Sequence, residues 1–288
     1  MDNSIENDNK GIFKFDLITK IDILENYNII KKVLELPHNT IGILNANKYG
    51  ILNIIEYDKY LFLIYSSKTF TRVKQFDYYF KDAVKTENDN LVLCDDHYIY
   101  LYKLIKNEYI SLQKIKCYTK TKQIHYLNIY KPNDCISFIF PLKNNNLIVC
   151  SYTEMKIYKI ENEKYSYSKT IDMKYYIQEI IEIKPNIIAV HLIENIGIGF
   201  FIRANKHYIG VYNLQNDKNK ILGQNKTSRD SYDRNLKKNL IIIDKYLIAR
   251  YGDNLDIYDI EVINENDYEI KKTMFDEVKK ILKYEMPF

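Results

Sequence analysis

The residues best equipped for chemistry lie in two polar stretches. Residues 215–239 read QNDKNKILGQNKTSRDSYDRNLKKN and carry Lys218, Lys220, Lys226, Arg229, Arg234, Lys237 and Lys238 against Asp217, Asp230 and Asp233. That excess of four positive charges equals the formal net charge of the whole chain. A basic lip of this kind would hold an acidic peptide, a lipid phosphate or a nucleic-acid backbone. Thr227, Ser228 and Ser231 stand beside arginine and could accept phosphate. Residues 117–135, CYTKTKQIHYLNIYKPNDC, interleave Lys120, Lys122 and Lys131 with Tyr118, Tyr126 and Tyr130. Basic residues among aromatics can stack bases or pack a peptide, although IHYLNIY also reads as one more strand.

Signals for catalysis or metal binding are weak. The five histidines (His38, His97, His125, His191 and His207) are scattered, with no two at ligand spacing. There is no GxSxG elbow, no GxxxxGK[ST], no HExxH and no CxxC, and eight glycines leave little material for phosphate cradles. The adjacent carboxylates Asp95 and Asp96 fall where a strand meets a turn, a place that suits solvated caps better than acid–base work. Cys94 and Cys150 occupy equivalent repeat positions, and Cys117 and Cys135 flank one polar stretch; reduced thiols are the simpler reading for all four. The expectation is therefore no catalytic residue, no metal and no cofactor.

The elements that would position these residues are strands. Runs of Ile, Val, Tyr, Phe and Leu alternate with turns rich in Asn, Asp, Lys and Glu, and helical periodicity is nearly absent. Three phrases recur in register: NLVLCDDHYIYLYKL, NLIVCSYTEMKIYKI and YLIARYGDNLDIYDI. In each, an apolar residue (Leu91, Leu147, Leu247) stands eleven positions before a tyrosine (Tyr102, Tyr158, Tyr258). A repeated strand-turn-strand phrase implies a repeat architecture. Four strands in a meander, as in residues 136–172, make one blade of a β-propeller. The same rhythm places further blades at 41–76, 80–116, 177–214 and 240–274. Residues 11–36, ending in YNIIKKVLEL as an outer strand, together with 278–284 would supply a closing blade. The count is about six blades, with seven as the alternative, in an all-β ring closed by pairing of its two ends. Both polar stretches would join an outer strand to the next inner strand and so share one rim.

The third-strand phrases IYK, IYD, LYK and KFD resemble the Trp-Asp ending of WD-repeat β-propeller blades, with Asp kept at Asp16 and Asp259. Trp and the Gly-His dipeptide of that family are absent. The resemblance implies a platform for partner proteins. Two rival propeller classes have less to stand on. Phosphoinositide-binding propellers carry an adjacent Arg-Arg that this chain lacks, and sialoside-cleaving propellers carry an arginine cluster and Trp-containing turns. The chain instead has 37 lysines and five dispersed arginines, with abundant Asn, Ile and Tyr, a bias that looks like AT-rich coding. The number of lysines by itself therefore argues little, and a net charge of +4 gives no global pull toward nucleic acid. The first residues contain no apolar signal core, and the longest apolar run is too short to span a bilayer. A cytosolic or nuclear compartment fits. The sequence thus predicts a non-enzymatic protein-interaction scaffold, with a peripheral membrane or phosphoinositide-binding propeller as the alternative and a propeller hydrolase behind both. Lys226, Arg229, Arg234, Lys237 and Lys238 would meet acidic partner groups, and Tyr126 and Tyr130 would serve as apolar anchors.

Overall fold

The recurring eleven-residue spacing is a cross-strand pair. Across a short antiparallel hairpin Leu91 stands opposite Tyr102, Leu147 opposite Tyr158 and Leu247 opposite Tyr258. Such directly opposed side chains share one sheet face, which is why the spacing recurs without a gap. The computed structural model describes residues 29–46, 60–66, 72–106, 108–118, 135–198, 202–227, 240–243, 246–251 and 254–260. Every regular element among them is a strand.

The strands form five antiparallel sheets, four of them four-stranded and each a simple meander. Sheet one contains β1 (Ile29–Leu36), β2 (Thr40–Ala46), β3 (Tyr60–Ser66) and β4 (Arg72–Phe80). Sheet two contains β5 (Asp82–Lys85), β6 (Leu91–Cys94), β7 (Tyr98–Ile105) and β8 (Glu108–Lys116). Sheet three contains β9 (Phe138–Pro141), β10 (Leu147–Cys150), β11 (Glu154–Glu161) and β12 (Lys164–Asp172). Sheet four contains β13 (Tyr176–Lys184), β14 (Ile187–Ile198), β15 (Ile202–Asn213) and β16 (Asn219–Thr227). Sheet five has three described strands, β17 (Leu240–Ile243), β18 (Tyr246–Tyr251) and β19 (Asn254–Asp259).

Two of the expected units are drawn differently. Ile29–Leu36, assigned by its sequence to the outside of a closing blade, is the first strand of sheet one, joined to β2 by a tight turn in which His38 and Asn39 take left-handed φ angles of 58° and 56°. Residues 47–59 of the expected blade at 41–76 lie outside the described residues, as do 11–28 and 278–284 of the expected closing blade. In sheet four, β14 runs on to Ile198 and β15 covers Ile202–Asn213, and the outer strand β16 comes from the polar stretch 215–239. The physical reason is that outer strands have one neighbour and meet solvent. β12 is KYSYSKTID and mostly exposed, and NKILGQNKT is polar in the same way. Only residues 228–239 then remain as the connection between β16 and β17.

Burial follows the layering. β6 and β10 are buried at every position, because each lies in mid-sheet with a neighbouring sheet on either side. Separate apolar cores fill the spaces between successive sheets. One joins Leu44, Ile64, Phe76 and Phe80 of sheet one to Leu91, Leu93, Tyr100 and Tyr102 of sheet two. The next joins Val92, Ile99 and Leu101 to Leu147, Val149 and Tyr158. A third packs Ile148, Cys150 and Ile157 against Ile188, Val190 and Tyr212, and a fourth packs Ala189, Ile209 and Val211 against Leu247, Ala249 and Tyr258. The repeated Leu–Tyr pair thus always faces the preceding sheet.

First strands are tied to one another at a common level. Lys32, Asp82, Phe138 and Glu179 hold equivalent register positions in β1, β5, β9 and β13. The Asp82 carboxylate lies 2.9 Å from the Lys32 ammonium and accepts the backbone N–H groups of Ala83 at 2.8 Å and Ile139 at 3.0 Å, so one acid joins three sheets. The Glu179 carboxylate repeats the device, accepting the N–H of Leu240 at 3.1 Å. At the other end of the sheets, Asn145 accepts from the N–H of Asn88 at 3.0 Å, and the Asn144 amide donates to Asn186 at 2.9 Å. Asp89, Asn145 and Asn186 each stand two residues before the repeat's Leu or Ile, with φ near 60° (60°, 64° and 63°). Asn and Asp tolerate that region better than other side chains, which lets a glycine-poor chain make these turns. Glycine is needed at Gly210, beside the register shift of β16. A Cβ there would lie 2.7 Å from the Tyr212 ring and 3.3 Å from Ile221.

Candidate functional site

The side chains suited to recognition gather at the end of the sheets where first strands begin, second strands end and fourth strands give way to the next sheet. There the turn between β6 and β7 is closed by Asp95, whose carboxylate accepts the N–H groups of His97 and Tyr98 at 2.7 Å each and the Tyr100 hydroxyl at 2.6 Å. Burial and Asp95 together push the Tyr100 phenol pKa up. Asp96, next to it, stands 3.1 Å from the ammonium of Lys81, the single residue between β4 and β5. The same ammonium donates to the Cys135 sulfur at 3.7 Å. Burial works against the Lys81 charge, but Cys135 and Asp96 outweigh it and raise the pKa.

Where β8 ends, the Lys156 ammonium lies 3.8 Å above the Tyr118 ring, donates to the Cys117 carbonyl at 2.8 Å and pairs with Glu154 at 3.3 Å. Burial pushes the Cys117 thiol up to about 11. All four cysteines are thiols. Between β12 and β13 the chain presents Lys174, Tyr175 and Tyr176. Tyr175 lies flat on Tyr208 with ring centres 4.4 Å apart and planes 4° from parallel, and the Lys174 ammonium sits 5.2 Å from the centre of the Tyr175 ring. Tyr176 meets the half-exposed Tyr152 edge to face at 6.2 Å. Glu194 accepts the Tyr208 hydroxyl at 2.5 Å and lies 3.6 Å from the Lys206 ammonium; the Tyr208 bond leads the effects that lower the Glu194 pKa. Deeper, between sheets four and five, His191 Nε2 and His207 Nδ1 are 3.0 Å apart in stacked rings. Burial first, and the second ring next, lower the His191 pKa to about 3.

Chemically this face is a contact surface. Lys81 answers Asp96, Lys156 answers Glu154 and Lys206 answers Glu194, so those charges are spent on one another, and beside them stand the exposed Tyr152 and Lys174 with the half-buried Tyr175 and Tyr176. Asp95 and Asp96 serve as a turn closure and an ion-pair partner. Among the described residues no group of three His, Cys, Asp or Glu side chains could hold a metal ion, and no helix is long and apolar enough to cross a membrane.

Of the residues singled out from the sequence, Lys226 lies near the end of β16, opposite Lys206. Arg229, Arg234, Lys237, Lys238, Tyr126 and Tyr130 lie outside the described residues. The stretches that hold them, 119–134 and 228–239, both join a fourth strand to the next first strand. Sequence reasoning passed over Tyr152, Tyr175 and Tyr176, although the Lys-Tyr-Tyr run between two strand patterns could have drawn attention to them. The class defined by fold and face is an all-β protein of repeated four-stranded antiparallel sheets. No family model matches the chain, and no curated protein matches it either.

Proposed function

We propose that the sheets are blades of a closed β-propeller, similar in plan to the WD-repeat propellers, and that the protein is a non-enzymatic scaffold for partner proteins. One observation carries the closure. The first and last described sheets bury both of their faces. Sheet one packs Leu44 and Ile64 toward sheet two, yet Ile43 and Leu63, on the opposite face, are 3% and 0% exposed. Sheet five packs Leu247 and Tyr258 toward sheet four, while Ile248 and Ile257 on its far face are equally buried. An open stack would leave those two outer faces wet, whereas a ring covers them.

The scaffold reading rests on the recognition face, where two long connections, both basic in sequence, leave beside a tyrosine-rich surface. Lys226, Arg229, Arg234, Lys237 and Lys238 would meet acidic groups of a partner, with Tyr126 and Tyr130 as apolar anchors. Acidic peptide segments are the matching chemistry, since an aromatic centre with a cationic margin is how such interfaces gain affinity and on-rate. Reversing Arg229, Arg234, Lys237 and Lys238 to Glu should abolish recovery of a partner co-purified from native cells, with the melting temperature unchanged. Full recovery of every partner by the reversed protein would discard the reading.

A further inference from the structure

We propose that the seam between sheets one and two binds a trimethylated lysine side chain of a partner protein. This deepens the scaffold reading, on which it rests for the partner being a protein, with residues outside the two basic stretches. Tyrosine rings stand together where β4 ends and β7 begins. Tyr98 and Tyr100 are two apart on β7 and so share a face, with ring centres 6.3 Å apart. Tyr78 of β4 lies along Tyr100 from the other sheet, at 6.5 Å with planes 18° apart. A cation already occupies the place. Lys114, opposite Tyr100 in β8, holds its ammonium 4.3 Å from the centre of the Tyr98 ring and 5.0 Å from that of Tyr100. Among the described residues no acidic side chain forms an ion pair with it, whereas Lys81, Lys156 and Lys206 each have one. What draws this ammonium in is the negative face of the rings.

The rings are arranged to attract positive charge. The Tyr100 hydroxyl donates to the Asp95 carboxylate at 2.6 Å, which adds electron density to the ring, and Phe80 backs it edge to face at 5.6 Å, which fixes its plane. Lys114 is exposed and its flexible stem can swing out to water. Its tether also sets what can replace it. An attached ammonium is present at an effective concentration of about a millimolar, so an ordinary lysine of a partner, with the same strongly hydrated head, gains nothing by exchange. A trimethylammonium head is weakly hydrated and sets its methyl groups against the rings, and quaternary ammonium ions are the cations such aromatic surroundings select. A choline headgroup in a bilayer carries the same chemistry. Tyr100, however, is 9% exposed between two sheets while Tyr78 beside it is 65% exposed, a depth that one long unbranched side chain reaches and a flat bilayer does not.

The test adds Nα-acetyl-trimethyllysine methylamide to the full-length protein and follows its N-methyl proton resonance by NMR. Contact with the ring faces should move that resonance upfield in a saturable titration. Lys114→Thr, which removes the tethered competitor and keeps a strand-forming residue, should tighten binding about fivefold or more. Tyr98→Leu should weaken it about tenfold, and Tyr78→Ala, at an exposed position, should weaken it in the same direction, both in proteins whose melting shows them folded. The neutral tert-butyl isostere, with carbon in place of the nitrogen, should bind about tenfold more weakly than the cation. Absence of saturable binding to the Lys114→Thr protein, equal binding of the isostere, or unaltered binding by either tyrosine variant would overturn the proposal. Sedimentation with phosphatidylcholine vesicles that is lost in Tyr98→Leu, with no response to the trimethyllysine probe, would assign the rings to a lipid headgroup instead. The protein with Arg229, Arg234, Lys237 and Lys238 reversed to Glu should bind the probe as the original does, so this site and the basic stretches stand or fall separately.

Discussion

Asp82→Ala is expected to lower stability by about 2–6 kcal/mol, the cost of leaving two buried backbone N–H groups without their acceptor. The carboxylate is buried and satisfies three donors at once, two of them backbone N–H groups in strands of different sheets. Its removal leaves the N–H groups of Ala83 and Ile139 buried without that acceptor, each worth about 1–3 kcal/mol. The Lys32 side chain is 34% exposed, so its ammonium can turn to water. Lys32→Met should accordingly cost about 1 kcal/mol or less, in line with a partly solvated pair. Asp82→Asn keeps an acceptor oxygen and should fall between the two. Urea denaturation of the three variants makes the comparison, and an Asp82→Ala protein within 1 kcal/mol of the original would show that the shared acid does not tie the sheets together.

Acidification should destabilise the protein in a second large effect, centred on His191. Its side chain is buried and its folded pKa is lowered to about 3, against an ordinary value near 6.5 in the unfolded chain. Below about pH 6.5 the unfolded chain therefore takes up a proton that the folded protein refuses. Stability is intact above that pH and falls progressively as pH drops toward 3. The slope is about 1.4 kcal/mol per pH unit for one such group, so about 2 kcal/mol is lost between pH 6.5 and pH 5. His207, also lowered by burial, adds to the loss in the same direction. His191→Leu should flatten the profile over this window, as measured by urea midpoints at successive pH values. A variant whose stability still falls as steeply between pH 6.5 and 5 would refute the assignment.

What could be read from the sequence was set by how local the signal is. The Leu–Tyr pair is legible because a short hairpin fixes the spacing of opposed residues, and sheets two and three follow from it. NKILGQNKT was misread because an outer strand is wetted and its composition is that of a loop; only its pairing with β15 reveals it. Ile29–Leu36 was placed on the wrong sheet because a strand's partner is a long-range fact. Asp82 carried no signal at all, since its neighbours in Phe-Lys-Asp-Ala-Val do not announce that two of its donors come from other sheets.

The division of the interior into separate cores, each shared by two neighbouring sheets, sets how damage spreads. Leu44 and Leu247 belong to different cores, so truncating both should cost the sum of the single effects, whereas Leu91 and Tyr102 share a face and should show coupling. An inherited change on one sheet thus calls for a compensating change only next door, and the chain can drift quickly in sequence while its plan endures.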